Sequence, residues 1–220
     1  MTLQNRVDPW GNLNAHPSKQ ATLMGNRGVL HNDLKEIVRP WRLKAWISCV
    51  TQFKDNKRLL FSPNRYSELF FLDEATAFSA GHRPCAECQR PRSNQFKTAW
   101  LQVNLPDHST EQRPHTKIKL SEIDEQLHRE RIDQNHSKVT FDARIQDLPV
   151  GTCVEYWEQT LMIVAVRVYL KWSFDGYTDT LKLEDETTVK VLTPQSIVNA
   201  FQYGFTPTFH PSAQQFICTS

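Results

Sequence analysis

The most constraining feature of this chain is a helix-forming stretch that leads directly into two cysteines. Residues 72–88 read Leu-Asp-Glu-Ala-Thr-Ala-Phe-Ser-Ala-Gly-His-Arg-Pro-Cys-Ala-Glu-Cys. Asp73 is a good helix N-cap, Gly81 suits the position just after a helix, and Pro84 restricts the backbone before the first cysteine. The pattern predicts the end of an apolar strand, a short helix, and then a tight turn that brings two thiols to the same side.

Two cysteines separated by two residues can bind one metal ion. Zinc takes four ligands in tetrahedral geometry, so Cys85 and Cys88 would need two more. The remaining cysteines are too scattered to form a disulfide framework with them: Cys49, Cys153 and Cys218. We therefore interpret Cys85 and Cys88 as ligands of a zinc ion. A thiol redox pair and two unreactive core thiols are the alternatives.

This stretch resembles the second half of the Ada-type metal-binding domain, in which an Ala-rich helix leads into Ala-Gly-x-Arg-Pro-Cys-x-x-Cys. The matching residues are Glu74, Ala75, Ala80, Gly81, Arg83, Pro84, Cys85 and Cys88. The first half of that domain has a Cys-x-x-x-Cys pair after a strand, and here Cys49 falls on the first cysteine and Phe53 on the second. The resemblance, over roughly residues 46–90, implies that Cys49 is a zinc ligand. It does not imply the family's methyl transfer, because Phe53 removes one thiolate from the ligand set.

The fourth ligand stays open at this stage. His82 lies three residues before Cys85, and His31 lies in a loop beyond a glycine-rich turn. An acidic side chain or a water molecule is a further possibility. A site with three protein ligands is typical of catalytic zinc, whereas a closed site with four is structural.

Charge is unevenly distributed along the chain. The formal net charge is +2, but residues 35–65 hold eight basic and two acidic side chains. A basic segment that also contains tryptophans favours a polyanionic partner. The candidate contacts for nucleic acid are Arg27, Arg39, Arg42 and Lys44. Arg27 stands between Gly25 and Gly28, where we expect a tight turn with positive φ at both glycines. The resemblance implies DNA rather than RNA.

A second functional interpretation rests on a predicted helix that begins with Ser121 as its N-cap. Glu125 and His128 are three residues apart and share a face, with Glu130 close by. A Glu/His pair can hold a divalent metal or act in general acid–base catalysis. The alternative function is therefore a metal-dependent hydrolase or nucleic-acid-modifying enzyme, in which the zinc is structural.

The remaining sequence predicts an α+β fold in three parts. Residues 1–23 lack apolar periodicity and are expected to form a flexible arm. Residues 24–145 should hold the zinc module and helices, and residues 146–220 a small β-rich unit closed by a helix. That acidic β-rich unit is also a candidate surface for protein interaction. No apolar run is long enough for a membrane span and no secretory signal is evident, so we expect a cytoplasmic protein.

Overall fold

The computed structural model describes residues 2–54, 59–105 and 118–217 of the chain. The strands are β1 (Gln4–Val7), β2 (Leu13–Ala15), β3 (Leu23–Asn26), β4 (Ile47–Val50), β5 (Leu69–Phe71), β6 (Arg83–Pro84), β7 (Phe141–Arg144), β8 (Cys153–Tyr156), β9 (Gln159–Ala165), β10 (Val168–Ser173), β11 (Gly176–Leu181) and β12 (Thr188–Val191). The helices are α1 (Glu74–Ser79), α2 (Arg90–Asn104), α3 (Leu120–Arg131), α4 (Gln195–Gln202) and α5 (Gln214–Ile217). The predicted α+β class is confirmed.

The first sheet has the order β2-β1-β5-β3-β4-β6. Two of its pairings, β1 with β5 and β4 with β6, are parallel, and the others are antiparallel. Arg6 in β1 pairs with Phe70 in β5, and Val7 is fully buried. Residues 4–15 thus contribute two strands to the sheet and do not form the flexible arm that we predicted. These strands could not be predicted from apolar periodicity, because β1 is short and carries only one apolar side chain.

The second sheet has the order β11-β10-β9-β8-β12-β7, and all its pairings are antiparallel. Consecutive strands from β8 to β11 are neighbours in this sheet, an arrangement typical of an antiparallel meander. Helix α4 follows it and ends before Gly204, whose φ of +103° is the conformation expected after a helix. The proposed boundary near residue 145 stays a prediction.

Helix α1 is buried along its whole length. The Asp73 side chain accepts the backbone N–H of Thr76 at 2.8 Å, so the predicted N-cap is confirmed. Gly81 has φ +80° and ends the helix as predicted. In α3, by contrast, Lys119 occupies the cap position and not Ser121, because Glu122 three residues later bonds the Lys119 backbone N–H.

The two glycines around Arg27 have different roles. Gly28 has the expected positive φ of +98°. Gly25 lies within β3, where a Cβ atom would come 2.1 Å from the carbonyl oxygen of Ile47 on β4. A glycine is therefore required at position 25 because β3 and β4 approach each other closely there. The prediction of a positive φ at Gly25 was wrong. The sequence also predicts a hairpin between residues 46–53 and 58–61; residues 55–58 lie outside the described part of the chain, and residues 59–61 do not form a strand.

Candidate metal centre

Three cysteines meet where β4 lies beside the turn after β6. The Sγ atoms of Cys49, Cys85 and Cys88 all lie within 4.8 Å of one another. The parallel pairing of Ser48 with Pro84 sets this arrangement, and the Cys85 backbone N–H donates to the Ser48 carbonyl at 2.9 Å. Tetrahedral thiolate ligation places sulfurs roughly 3.8 Å apart, so only a small adjustment would close the three around one ion.

The turn that carries Cys85 and Cys88 is braced by several hydrogen bonds. The backbone N–H of Glu87 points at Cys85 Sγ, 3.4 Å away, and Gln89 donates its backbone N–H to the Cys85 carbonyl at 3.0 Å. The Gln89 side chain reaches back to the Ser48 carbonyl at 2.9 Å. Backbone N–H groups aimed at sulfur favour its thiolate form, which is the form that ligates metals.

The three thiols shift one another's pKa values. A hydrogen bond from Cys49, together with backbone N–H donors, lowers the pKa of Cys85 to about 5. The pKa of Cys49 is raised, first by that same hydrogen bond and then by burial. Burial also raises the pKa of Cys88. The cluster thus holds one readily formed thiolate, and a cation between the sulfurs would favour the other two.

Neither candidate histidine belongs to the cysteine cluster. The His82 ring is fully buried against Trp46 and Phe71, with centroid distances of 5.1 and 4.6 Å. Its Nε2 accepts a hydrogen bond from Arg27 Nε at 3.2 Å. His31 stacks on a phenylalanine, and both its ring nitrogens have oxygen partners. Within the described residues, the cysteines are therefore the only His, Cys, Asp or Glu group of metal-binding geometry.

An ion pair that the sequence did not reveal fixes the approach to the cysteines. Arg83, two residues before Cys85, makes a bidentate contact with Asp124 on α3, with both N–O distances at 2.7 Å. The two side chains are only 7% and 6% exposed. The buried position of Asp124 could not be predicted, because an acidic residue on an amphipathic helix is usually solvated. Its partner Arg83 also lies 41 positions away in the sequence.

The predicted nucleic-acid residues divide into two groups. Arg39, Arg42 and Lys44 are exposed, although Lys44 forms an ion pair of 2.6 Å with Glu125. Arg27 is only 1% exposed, so it is not available to a partner on the outer surface. The exposed basic surface is thus formed by Arg39 and Arg42, with a partly neutralised Lys44 beside them.

The acidic and histidine candidates of α3 make three separate contacts. Glu125 pairs with Lys44, and His128 lies against Trp41 and Trp46. Glu130 accepts hydrogen bonds from the backbone and hydroxyl of Ser196, at the start of α4. Burial, together with nearby cations, lowers the pKa of His128 to about 4. The structure does not bring Glu125, His128 and Glu130 together into one metal-binding group.

Two further findings concern the chain as a whole. None of the helices in the described part of the chain is long and apolar enough to cross a membrane. Comparisons of the chain with protein-family models, with curated proteins and with solved structures found no match.

Proposed function

We propose that this chain is a zinc-binding protein that binds nucleic acid, DNA in preference to RNA, through the exposed basic surface formed by Arg39, Arg42 and Lys44. The observation that carries the proposal is the convergence of Cys49, Cys85 and Cys88 within 4.8 Å. All three ligands would be thiolates once an ion is bound, and soft sulfur ligands favour zinc over the hard divalent cations. The bound ion would tie β4 to the turn after β6, as in the Ada-type arrangement that residues 46–90 resemble.

Zinc content is the first test of this proposal. We expect the purified protein to hold about one zinc ion per chain, and Cys85→Ser to lose it because two sulfurs hold zinc far more weakly than three. The measurement is elemental analysis with a chelator competition. Cys153→Ser is the matched control, since Cys153 is buried in β8 away from the cluster. Zinc-free wild-type protein, or equal zinc in the Cys85→Ser variant, would contradict the proposal.

Nucleic-acid binding is tested by its dependence on salt. Arg42→Gln should weaken binding to DNA and lower the slope of log K against log salt by about 1, the value expected for one lost phosphate contact. Lys182→Gln removes an exposed cation that follows β11 and should leave the slope unchanged. A slope near zero for wild-type protein, or equal slopes for both variants, would remove nucleic acid from the proposal while leaving the zinc site untouched.

A further inference from the structure

A cavity of about 760 Å³ lies beside Trp46. Its volume falls in the range of about 300–1,000 Å³ that is usual for small-molecule sites. Every charged group in its lining is a cation: Arg27, Arg39, Arg131 and Lys138. No carboxylate lines it among the described residues. The cavity therefore presents a strongly positive interior.

The buried cations of this cavity have neutral partners. The Arg27 guanidinium donates to the Gly11 carbonyl at 2.9 Å and to His82 Nε2 at 3.2 Å. Arg131 and Lys138 donate to backbone carbonyl oxygens. In addition, Arg131 Nε is buried without a hydrogen-bond partner in the described part of the chain. Within the described residues none of these three cations has a carboxylate as its hydrogen-bond partner, and one donor of Arg131 is unused.

Holding these cations in the interior is energetically unfavourable. Arg27 and Arg131 are only 1% and 2% exposed. Burial lowers the pKa of Arg27 to about 9, of Arg131 to about 8 and of Lys138 to about 7, and repulsion from Arg27 adds to the shift of the last two. Asp8 favours the charged forms of Arg27 and Lys138, and Asp124 that of Arg131, but these carboxylates lie outside the lining and the three pKa values remain lowered. An anion bound among the three cations would offset more of the cost of burying them.

Trp46 orders two of the cations, and apolar side chains line much of the rest of the cavity. The guanidinium carbons of Arg27 and Arg131 lie 3.8 and 4.0 Å from the centroid of the Trp46 ring, which holds both cations in place. The apolar lining side chains are Trp10, Leu13, Ile37, Val38, Pro40 and Ile132. A single inorganic ion would leave these apolar side chains uncovered, so the cavity suits an anion that carries an organic body.

We propose that this cavity binds a phosphate ester with a ring-bearing body, that is, a nucleotide. Guanidinium groups match the geometry of phosphate oxygens, and the apolar side chains of the lining, Trp10 among them, would accept the base or sugar. The proposal goes beyond the exposed basic surface, because two of the four cations, Arg27 and Arg131, are buried and Lys138 is not part of that surface. A phosphate attached to a nucleoside occurs both in a free nucleotide and at the phosphorylated end of a nucleic acid, and either could be the ligand.

The test is titration of full-length protein with AMP, followed by calorimetry and by the fluorescence of the lining tryptophans. We expect AMP to bind, inorganic phosphate to compete, and adenosine to bind far more weakly because it lacks the phosphate. Lys138→Gln should weaken AMP binding about tenfold or more, the loss expected for one charge-assisted hydrogen bond. Lys182→Gln should bind AMP like the wild type.

Folding of the variant is checked by thermal unfolding. If Lys138→Gln does not fold, Arg39→Gln, at an exposed residue of the lining, replaces it and should also weaken AMP binding. Absence of AMP binding, equal affinity for adenosine, or equal affinity of the lining and control variants would overturn the proposal. A 5′-phosphorylated single strand that displaces AMP would support a nucleic-acid end as the ligand, and failure to displace it would support a free nucleotide.

Discussion

His82 illustrates how a single side chain can look like a metal ligand and serve another purpose. It lies three residues before Cys85, yet its ring is fully buried beside Arg27 and accepts that residue's Nε–H at 3.2 Å. Burial, followed by repulsion from Arg27, Arg131 and Lys138, holds the pKa of His82 well below its usual 6.5. His82 therefore stays neutral and acts as a hydrogen-bond acceptor in the cationic interior.

The neutral state of His82 predicts a loss of stability in acid. Below the usual pKa of 6.5 the unfolded chain takes up a proton on this ring and the folded protein does not. The free energy of unfolding contributed by His82 should therefore fall as pH falls, by about 1.4 kcal/mol per pH unit. Urea unfolding of wild type and His82→Gln checks this, because the difference between them should shrink by that amount. A difference that is constant with pH would contradict it.

Residue types explain which parts of the site could be predicted from the sequence. Helix α1 could be predicted because the residues that begin and end it, Asp73 and Gly81, adjoin it in the sequence. The spacing of Cys85 and Cys88 likewise predicted that both lie in one turn. The proximity of Cys49 followed only from resemblance, since the pairing of β4 with β6 joins positions far apart in the sequence. Arg131 was missed altogether, because a cation in a polar helix gives no sign that it is buried.

At the scale of elements, the contact between β6 and α3 holds the cysteine turn in place. Arg83 and Asp124 form a buried, bidentate ion pair at 2.7 Å that joins the two. The same helix carries Arg131, which donates to the carbonyls of Gly81 and Lys44. Helix α3 thus positions the approach to the metal centre on one side and a wall of the cationic cavity on the other.

Breaking this ion pair should affect both stability and metal binding. Asp124→Asn leaves the Arg83 charge buried without its counter-ion, and we expect a loss of about 3–5 kcal/mol in the free energy of unfolding. Zinc affinity should fall too, because β6 leads into Cys85. Denaturant unfolding and chelator competition measure the two effects.

The neighbouring carboxylate provides a matched control. Glu125→Gln removes an ion pair to Lys44 in which both side chains are about half exposed, at 51% and 50%, so the change in stability should be small. Equal effects of Asp124→Asn and Glu125→Gln would show that the buried pair has no special role.

At the scale of the whole molecule, the start of α1 joins the two sheets. Asp73 accepts hydrogen bonds from the Tyr177 hydroxyl at 2.6 Å and from the His210 backbone N–H at 2.9 Å. Leu72 and Ala75 share a buried cluster with side chains of β8, β9 and β10. The helix that precedes the metal centre is therefore packed into the second sheet, and neither sheet encloses it alone.

This shared helix predicts that the protein unfolds in one cooperative transition. Separate units divided near residue 145 would instead give two, so coincident curves from far-UV circular dichroism and tryptophan fluorescence are the measurement. Tyr177→Phe should shift the whole transition, with a loss of about 1–3 kcal/mol, because the buried Asp73 carboxylate loses a donor. Tyr203→Phe, at an exposed tyrosine, should leave it unchanged. Two resolved transitions, with only the second moved by Tyr177→Phe, would show that the two sheets fold independently despite the contacts through α1.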